Sequence, residues 1–240
     1  MNGRLRLRQP RKGFRFGTAS MLLGAAIRSQ GKIADFGCGA GNASLWALKR
    51  NKVDTLLIDG YDCNQEMVSL SQYNSRQNGL ESYFCSFCCD ITLQDWEAKK
   101  YDMVVMNPPF YALQDGQKAK SIQKARAHHA EQGLDLWMKA AKQVLHPGAE
   151  MLLIFPAWRL SVLGLYAAKL DFGDLRLRPV YGRCGKPAIF CLASFRKNRV
   201  GESRILPSLV LRDEYGKDPQ SNGYSKAVLA LLQGDPLPSR

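Results

Sequence analysis

Apolar runs and segments of helical periodicity alternate along most of the chain. Apolar runs that predict strands occur at Lys32–Phe36, Val53–Ile58, Tyr83–Cys89, Tyr101–Met106 and Met151–Phe155. Helical spacing predicts helices at Thr18–Ile27, Asn42–Lys49, Gln65–Gln77, Leu134–Leu145 and Trp158–Leu170, the fourth of them ending at the turn His146–Gly148. Strands that alternate with helices in this way are typical of a mostly parallel sheet with helices on both faces.

The pattern changes in the last third of the chain, where two β-rich segments follow each other. No helix is predicted between Leu175–Tyr181 and Ala188–Phe195, so we expect a hairpin that gives the sheet an antiparallel end. The predicted fold class is therefore α/β, a Rossmann-like sheet of seven strands with helices on both faces and an antiparallel end.

The length of 240 residues fits one domain with appendages. We divide this single domain, 1–240, into a basic N-terminal segment with its helix (1–30), a core (31–200) and a C-terminal extension (201–240). The ends, before Gly13 and after Gly201, are expected to be mobile or peripheral.

Positive charge is concentrated in two parts of the chain. The net charge is +13, and eight basic residues precede the first acidic residue, Asp35. A second stretch, Arg176–Arg199, carries seven basic residues without an acid and is interleaved with aromatic residues. Solvated single charges do not explain two such stretches, so we expect a polyanionic partner.

The cysteine count and the hydropathy pattern bear on the compartment. Seven cysteines are an odd number, and neither an apolar leader nor a run as long as a membrane span is present. We therefore expect a cytoplasmic protein with free thiols and no membrane partner. Cys85, Cys88 and Cys89 form one C-x-x-C, but a strand would scatter them over both faces, so no metal site is expected.

Three glycines directly after the first predicted strand indicate a cofactor site. Gly37, Gly39 and Gly41 allow the backbone to turn sharply and to approach a ligand closely. A dinucleotide fingerprint would place glycine where Asn42 stands, which disfavours NAD. Asp35, two residues before the first glycine, would repel a phosphate but suits the ammonium of a methionyl group. The segment therefore favours S-adenosyl-L-methionine as the cofactor.

A carboxylate at the end of the second predicted strand would bind the ribose hydroxyls of such a cofactor. The expected separation from the glycines is about 20 residues. Asp59 and Asp62 are both candidates.

A rigid polar tetrapeptide follows the fourth predicted strand. It consists of Asn107, Pro108, Pro109 and Phe110. The two prolines fix φ and remove two backbone donors, so nearby carbonyls can accept hydrogen bonds from a ligand. An amide, fixed carbonyls and an aromatic ring together can hold a planar amino group. Alone, the tetrapeptide would be interpreted as a turn that ends a strand, but its pairing with the glycine segment favours a catalytic function.

The two motifs together resemble those of class I S-adenosylmethionine-dependent methyltransferases that act on exocyclic or amide nitrogen. The flanking segments resemble, more narrowly, the bacterial tRNA (adenine-N6)-methyltransferases that modify the adenine beside the anticodon of a valine tRNA. These flanking segments are Gln9–Thr18, Ala127–His129, Gly185–Ala188 and Leu206–Leu211.

This resemblance implies a function and a set of site residues. Asn107 and Pro108 would accept hydrogen bonds from the adenine N6, and Phe110 would stack on the base. Asp62 is preferred to Asp59 for the ribose, and Asp90 with Ile91 would contact the adenine of the cofactor, although Asp90 is also suited to a turn. The residues predicted to bind the cofactor are Asp35, Gly37, Cys38, Gly39, Gly41, Asp62, Asp90, Ile91 and Asn107.

The implied partner is tRNA. A monomer is favoured, although the sequence does not fix the oligomeric state, and no metal is expected. The main alternative is a guanine-N2 ribosomal RNA methyltransferase, which shares the Asn-Pro-Pro-Phe motif. A glutamine methyltransferase acting on protein does not require so basic a surface. A third alternative, a non-catalytic RNA-binding module on the same fold, gives no chemical reason to retain both motifs.

Overall fold

The computed structural model of the chain describes residues 5–10, 17–28, 30–51, 55–96, 100–108, 133–212, 223–235 and 237. Its helices are α1 (Thr18–Ala26), α2 (Asn42–Asn51), α3 (Gln65–Gln77), α4 (133–144), α5 (Leu160–Lys169) and α6 (Lys226–Gln233). Its strands are β1 (Gly31–Phe36), β2 (Leu56–Asp62), β3 (Phe84–Cys88), β4 (Tyr101–Met106), β5 (Leu145–Pro156), β6 (Phe172–Arg183), β7 (Ala188–Lys197), β8 (Arg204–Ile205) and β9 (Leu209–Arg212).

The strands form one sheet in the order β3-β2-β1-β4-β5-β7-β6-β8, and β9 also pairs with β6. Strands β1 to β5 run parallel to one another, whereas β7 is antiparallel to both β5 and β6. This confirms the predicted α/β sheet with an antiparallel end, to which β8 and β9 add two short strands. The strand order reverses between β1 and β4, and open α/β sheets bind ligands at the carboxyl ends of the strands at such a point.

Both faces of the sheet are covered, which explains why its central strands are apolar without alternation. On one face, Met138 of α4 and Leu163 of α5 pack on the sheet, and on the other, Leu22 of α1 and Leu45 of α2 do the same. All four side chains are fully buried. The resulting sheet is rigid, so the ends of β1, β2 and β4 are held at fixed positions relative to one another.

Strand β9 and helix α6 pack on the core, so the prediction that the chain after Gly201 is mobile or peripheral is wrong for these two elements. Leu209 and Leu211 of β9 are buried, as are Val228 and Leu231 of α6. The Ser225 hydroxyl caps α6 by accepting from the Val228 amide. A strand of four residues and a helix of eight are too short to give a clear periodicity in the sequence.

The described part of the basic N-terminal segment is likewise fixed to the domain. Leu5 and Leu7 pack against the core. The Arg8 amide donates to the Asn74 side chain at 2.7 Å, and Asn74 donates back to the Arg8 carbonyl at 3.0 Å. The Arg8 guanidinium lies 4.1 Å from the centre of the Tyr73 ring. The segment is peripheral, since Arg6, Arg8 and Gln9 are exposed, and the long-range contacts that attach it leave no local pattern in the sequence.

The helix predicted to end at His146–Gly148 ends earlier, and β5 begins at Leu145. The pairing of β5 with β4 is irregular between Tyr101 and Met103, where the partner shifts from Leu145 to Glu150. This bulge accommodates Pro147, which has no amide hydrogen to donate to a regular ladder.

Candidate active site

The glycine segment forms a tight turn at the carboxyl end of β1. Gly37, Gly39 and Gly41 have φ values of +70°, +53° and +81°, in the left-handed region that favours glycine. The amides of Gly37 and Cys38 both donate to the Tyr61 carbonyl, at 2.8 and 3.1 Å, and so attach the turn to β2. The turn therefore has a fixed conformation.

The three glycines have different surroundings. A Cβ on Gly37 would lie 2.6 Å from the ring of Trp137, and one on Gly41 would lie 3.1 Å from Leu45. A Cβ on Gly39 would meet no heavy atom within 4 Å among the residues that the structure describes. Gly37 and Gly41 are thus required for packing, whereas Gly39 marks the open point of the turn, where a ligand can approach the backbone.

Asp62, at the end of β2, lies beside this open point. Its Oδ2 accepts from the Gly39 amide at 2.9 Å, and its Oδ1 accepts from the Asn64 amide at 2.9 Å. Asp59 has other partners: its Oδ2 accepts from the Tyr101 hydroxyl at 2.7 Å and lies 3.6 Å from the Lys32 ammonium. The geometry therefore favours Asp62 over Asp59 as the carboxylate that faces a ligand at the turn.

Asp35 lies beneath the turn and is 2% exposed. The Ser44 hydroxyl donates to its Oδ2 at 2.5 Å. Burial raises the pKa of this carboxyl, the bond from Ser44 lowers it and the charge of Asp62 raises it, with a net result of about 7. A cationic group bound at the turn would stabilise the charged form. Contact of Asp35 with the ammonium of a ligand remains a prediction.

Cys38 contributes to the turn mainly through its backbone. Its side chain is buried, and its Sγ lies so close to Gly60 that a Cβ there would be 2.8 Å away. Burial, together with the charges of Asp35 and Asp62, raises the pKa of this thiol well above its usual value. The thiol is therefore neutral and inert at physiological pH.

Asp90 and Ile91 follow β3, but only one of them faces outward. Asp90 is exposed, and its Oδ1 accepts from both the amide and the hydroxyl of Thr92, so it does form the turn considered as its alternative role. The Ile91 side chain is 4% exposed, and its carbonyl accepts from the Trp96 indole. Contact of this pair with the cofactor adenine stays a prediction and rests mainly on Asp90.

Phe87 is a candidate ligand contact that the sequence reasoning missed. It lies near the end of β3, is 42% exposed and stacks on Tyr61 with ring centres 5.4 Å apart. An exposed ring at this position offers a stacking surface for an adenine. Buried Phe84 and Ser86 lie on one face of β3, which places Phe87 on the opposite face. This two-residue period is the sequence signal that could have identified it.

Asn107 and Pro108 lie beside the glycine turn. Phe36 of β1 pairs with Met106 of β4. The residues that follow them, Gly37 and Asn107, therefore lie at the same level along the edge of the sheet. Adjacent strands are about 4.8 Å apart. Pro108 is buried and Asn107 is partly buried. Pro109 and Phe110 lie outside the described residues.

Comparisons with known proteins agree with this geometry. A family model described as Methyltransferase small domain matches residues 12–155, more than half of the chain. The chain belongs to this methyltransferase family. A tRNA1(Val) (adenine(37)-N6)-methyltransferase from Shewanella halifaxensis is 32% identical over 177 residues, which cover 70% of this chain and 67% of the relative. A protein of the same name from Aeromonas salmonicida is 26% identical over 209 residues, with 82% and 83% covered.

These relatives confirm the resemblance predicted from the sequence. Among solved structures, a predicted O-methyltransferase from Agrobacterium tumefaciens superposes with a TM-score of 0.73 at 19% identity, covering 93% of this chain and 99% of that one. At this identity the likeness concerns the fold alone. Family and fold together identify the protein as an S-adenosylmethionine-dependent methyltransferase.

The residues at the turn of the methyltransferase fit this cofactor. Gly39 is open to a ligand, and Asp62 places a carboxylate beside it. Asn42, the first residue of α2, buries a side-chain oxygen that has no hydrogen-bond donor among the described residues. The ammonium of a methionyl group would supply such a donor.

The second basic stretch of the methyltransferase, Arg176–Arg199, is spread over β6, β7 and the turn between them, and its contact with a polyanion stays a prediction. Several of its members are engaged within the domain: Arg178 donates to the Pro207 carbonyl, Lys197 to the Leu145 carbonyl and Arg196 to the Gly148 carbonyl. Arg176 and Arg196 also lie near Asp174. Of this stretch, Arg183 at the end of β6 and Lys186 in the turn before β7 are the described exposed basic residues at the carboxyl edge of β5.

Within the described ranges, no group of three or more His, Cys, Asp or Glu side chains is arranged to hold a metal ion. All seven cysteines of the methyltransferase are free thiols. None of the described helices is long and apolar enough to cross a membrane.

Proposed function

We propose that the protein transfers a methyl group from S-adenosyl-L-methionine to the N6 amino group of an adenine in tRNA. The observation that carries this proposal is the position of Asn107, which leaves β4 at the level of the glycine turn. An amino group held by Asn107 would face a cofactor bound over Gly39. The named relatives that cover most of the chain support adenine in tRNA as the acceptor.

The cofactor would be held at the ends of β1 to β3. The open backbone at Gly39 would lie against the methionyl part, the Asp62 carboxylate would accept from the ribose hydroxyls, and Asp35 with Asn42 would face the ammonium. Asp90 and the exposed ring of Phe87 would border the adenine. Bound there, the cofactor supplies a methyl group on a sulfonium, which is already a good leaving group.

The chain's own contribution is to orient and desolvate the acceptor. An adenine N6 is a poor nucleophile because its lone pair is delocalised into the ring. The Asn107 side-chain oxygen and the Pro108 carbonyl would accept hydrogen bonds from N6–H and hold the nitrogen in line with the methyl group. The same oxygens would stabilise the positive charge that develops on the nitrogen.

The target base must leave its stack to reach this site. Phe110, which directly follows the two prolines, is proposed to stack on the extruded base. The adenine beside the anticodon of a valine tRNA is the specific target we propose, because it is the target named for the relatives that match most of the chain.

A second candidate is a guanine-N2 methyltransferase acting on ribosomal RNA. It is favoured by one relative, Ribosomal RNA small subunit methyltransferase C from Acinetobacter baylyi, which is 29% identical over 136 residues. That match covers 55% of this chain and 38% of the relative, so it supports the shared methyltransferase core more than the substrate.

Transfer of labelled methyl groups to defined acceptors tests the proposal. The acceptors are an unmodified valine tRNA transcript, the same transcript with guanine in place of the adenine beside the anticodon, and a small-subunit ribosomal RNA. We expect label in the first transcript alone. Label in the guanine transcript or in ribosomal RNA would favour the second candidate.

A further inference from the structure

An exposed tryptophan lies at the carboxyl edge of the sheet, two strands from the glycine turn. Trp158 is 63% exposed and belongs to a short 3-10 turn, Ala157–Arg159, that follows β5 directly. Strand β5 is the neighbour of β4, with Leu153 paired to Met106, so this turn stands beside the strand end that carries Asn107. Tryptophan side chains are highly buried on average, so this exposure calls for a functional explanation.

The indole of Trp158 is held in place from below. Arg159 is 7% exposed, and its guanidinium carbon lies 5.6 Å from the centre of the Trp158 ring and 5.9 Å from the centre of the Phe155 ring. A buried cation between two aromatic rings restricts the motion of the exposed one. The outer face of Trp158 is therefore a preorganised surface, which reduces the entropic cost of stacking a ligand on it.

Basic residues lie at the same edge of the sheet, on the side of this ring that is away from the cofactor. Strand β6 runs parallel to β5 and ends at the exposed Arg183, the following turn contains the exposed Lys186, and β9 ends at the exposed Arg212, which pairs with Arg183. The described residues at the ends of β5, β6 and β9 include no carboxylate. We call Trp158, Arg183, Lys186 and Arg212 the basic edge.

The carboxyl edge of the sheet is thus divided by charge. The ends of β1, β2 and β3 carry the carboxylates Asp35, Asp62 and Asp90, which suit a cationic cofactor. The basic edge lies on the other side of Asn107. A polyanion placed on that side is attracted by the basic edge and repelled by the cofactor half, so electrostatics fixes its orientation across the site.

We propose that the basic edge binds the tRNA strand next to the target adenine, with Trp158 stacked on a neighbouring base and Arg183 and Lys186 on its phosphates. This inference rests on the proposed function, because it assigns the RNA to one side of the proposed site. Aromatic stacking with flanking basic side chains is a common mode of binding to unpaired nucleotides.

The stacking part is tested with Trp158→Ala, Trp158→Phe and the control Leu165→Ala, which removes a 54% exposed apolar side chain on α5. With an anticodon stem-loop as acceptor, Trp158→Ala should raise the KM by about 5- to 100-fold. Trp158→Phe, which keeps a ring, should recover most of this loss. The kcat at saturating RNA should change little, and Leu165→Ala should behave as wild type.

The phosphate part is tested with the double variant Arg183→Ala/Lys186→Ala. The control is Arg204→Ala, which removes an exposed arginine on β8, away from the basic edge. The slope of log affinity for the stem-loop against log salt should fall by about two in the double variant and remain unchanged in the control. Affinity for S-adenosylmethionine, measured by calorimetry, should stay within about twofold in every variant.

The wild-type arm separates this inference from the proposed function. If wild type methylates tRNA but Trp158→Ala keeps its KM and the double variant keeps its salt slope, the basic edge is not the RNA site and the inference is wrong. If wild type methylates a protein or no RNA, the proposed function itself fails and the inference fails with it. Should Trp158→Ala not fold, unchanged KM and salt slope in the double variant would by themselves overturn the inference.

Discussion

The carboxylate of Asp62 accepts a hydrogen bond from the backbone amide of Gly39, at 2.9 Å. Through this bond the end of β2 fixes the one glycine of the turn that is open to a ligand. Because the second oxygen of Asp62 accepts from the Asn64 amide, the carboxylate is oriented before any ligand binds. The cofactor half of the site is therefore preorganised by two strands rather than by the glycine turn alone.

Replacement of Asp62 should weaken cofactor binding. Asp62→Ala removes the proposed acceptor for the ribose hydroxyls, and loss of a charged hydrogen-bond partner corresponds to a decrease of about tenfold or more in affinity. Asp62→Asn, which keeps an oxygen for the Gly39 amide, should have a smaller effect. Asp59→Asn is the matched control. Calorimetry with S-adenosylmethionine measures the affinity of each variant. If Asp62→Ala binds as tightly as wild type, Asp59 becomes the candidate for binding the ribose.

Replacement of Asn107 should affect methyl transfer far more than binding. Asn107→Ala should reduce the rate by about 100-fold or more, because a preorganised acceptor for the developing charge is lost. Asn107→Asp, which retains oxygen acceptors, should lose less. Single-turnover assays on tRNA at saturating cofactor isolate this step. A wild-type rate in Asn107→Ala would mean that the tetrapeptide is only a turn.

Among the glycines of the turn, Gly37 should contribute mainly to stability and Gly39 mainly to cofactor binding. Gly37→Ala places a methyl group against the Trp137 ring and should lower the free energy of unfolding by about 1–3 kcal/mol. Gly39→Ala meets open space, so it should destabilise less and weaken cofactor binding more. Thermal unfolding and calorimetry on both variants measure the two effects. If the two variants lost the same stability and the same cofactor affinity, the two glycines would not have different roles.

The buried carboxyl of Asp35 should make stability depend on pH. Its pKa is raised from 3.8 to about 7 in the folded chain, so between these values the folded state holds a proton that the unfolded chain releases. Its contribution to stability is thus present below about pH 4 and is lost as the pH rises to about 7. Asp35→Asn should therefore be increasingly more stable than the wild type across this range. Parallel pH profiles in urea denaturation would contradict this.

Local signals predicted some elements accurately. The bounds of α3 agree with the prediction because Asn64 caps its start by accepting from the Glu66 amide and Asn78 and Gly79 follow its end. The bounds of β4 also agree, because its apolar run is short and ends at the tetrapeptide. Where the chain carries its own start and stop signals, the sequence is sufficient to place the element.

Other features depend on distant contacts and could not be predicted. The packing of Trp137 on Gly37 joins residues a hundred positions apart, and no local pattern indicates it. The basic residues of the stretch Arg176–Arg199 are close in sequence, which does not indicate where they lie on the sheet. The stretch forms a hairpin of two strands, β6 with 12 residues and β7 with 10. Its two ends lie at one edge of the sheet and its turn lies at the opposite edge, about 33 Å away. The sequence pattern places Trp158 in a helix, whereas it lies in a 3-10 turn, and its position beside the strand end of Asn107 follows only from the sheet order.

The most direct test of the central claim is mass spectrometry of nucleosides from valine tRNA incubated with the protein and S-adenosylmethionine that carries a deuterated methyl group. The expected product is deuterated N6-methyladenosine, at the position beside the anticodon, formed by wild type and nearly absent with Asn107→Ala. Deuterated N2-methylguanosine, or an absence of label from the tRNA despite cofactor binding, would contradict the account.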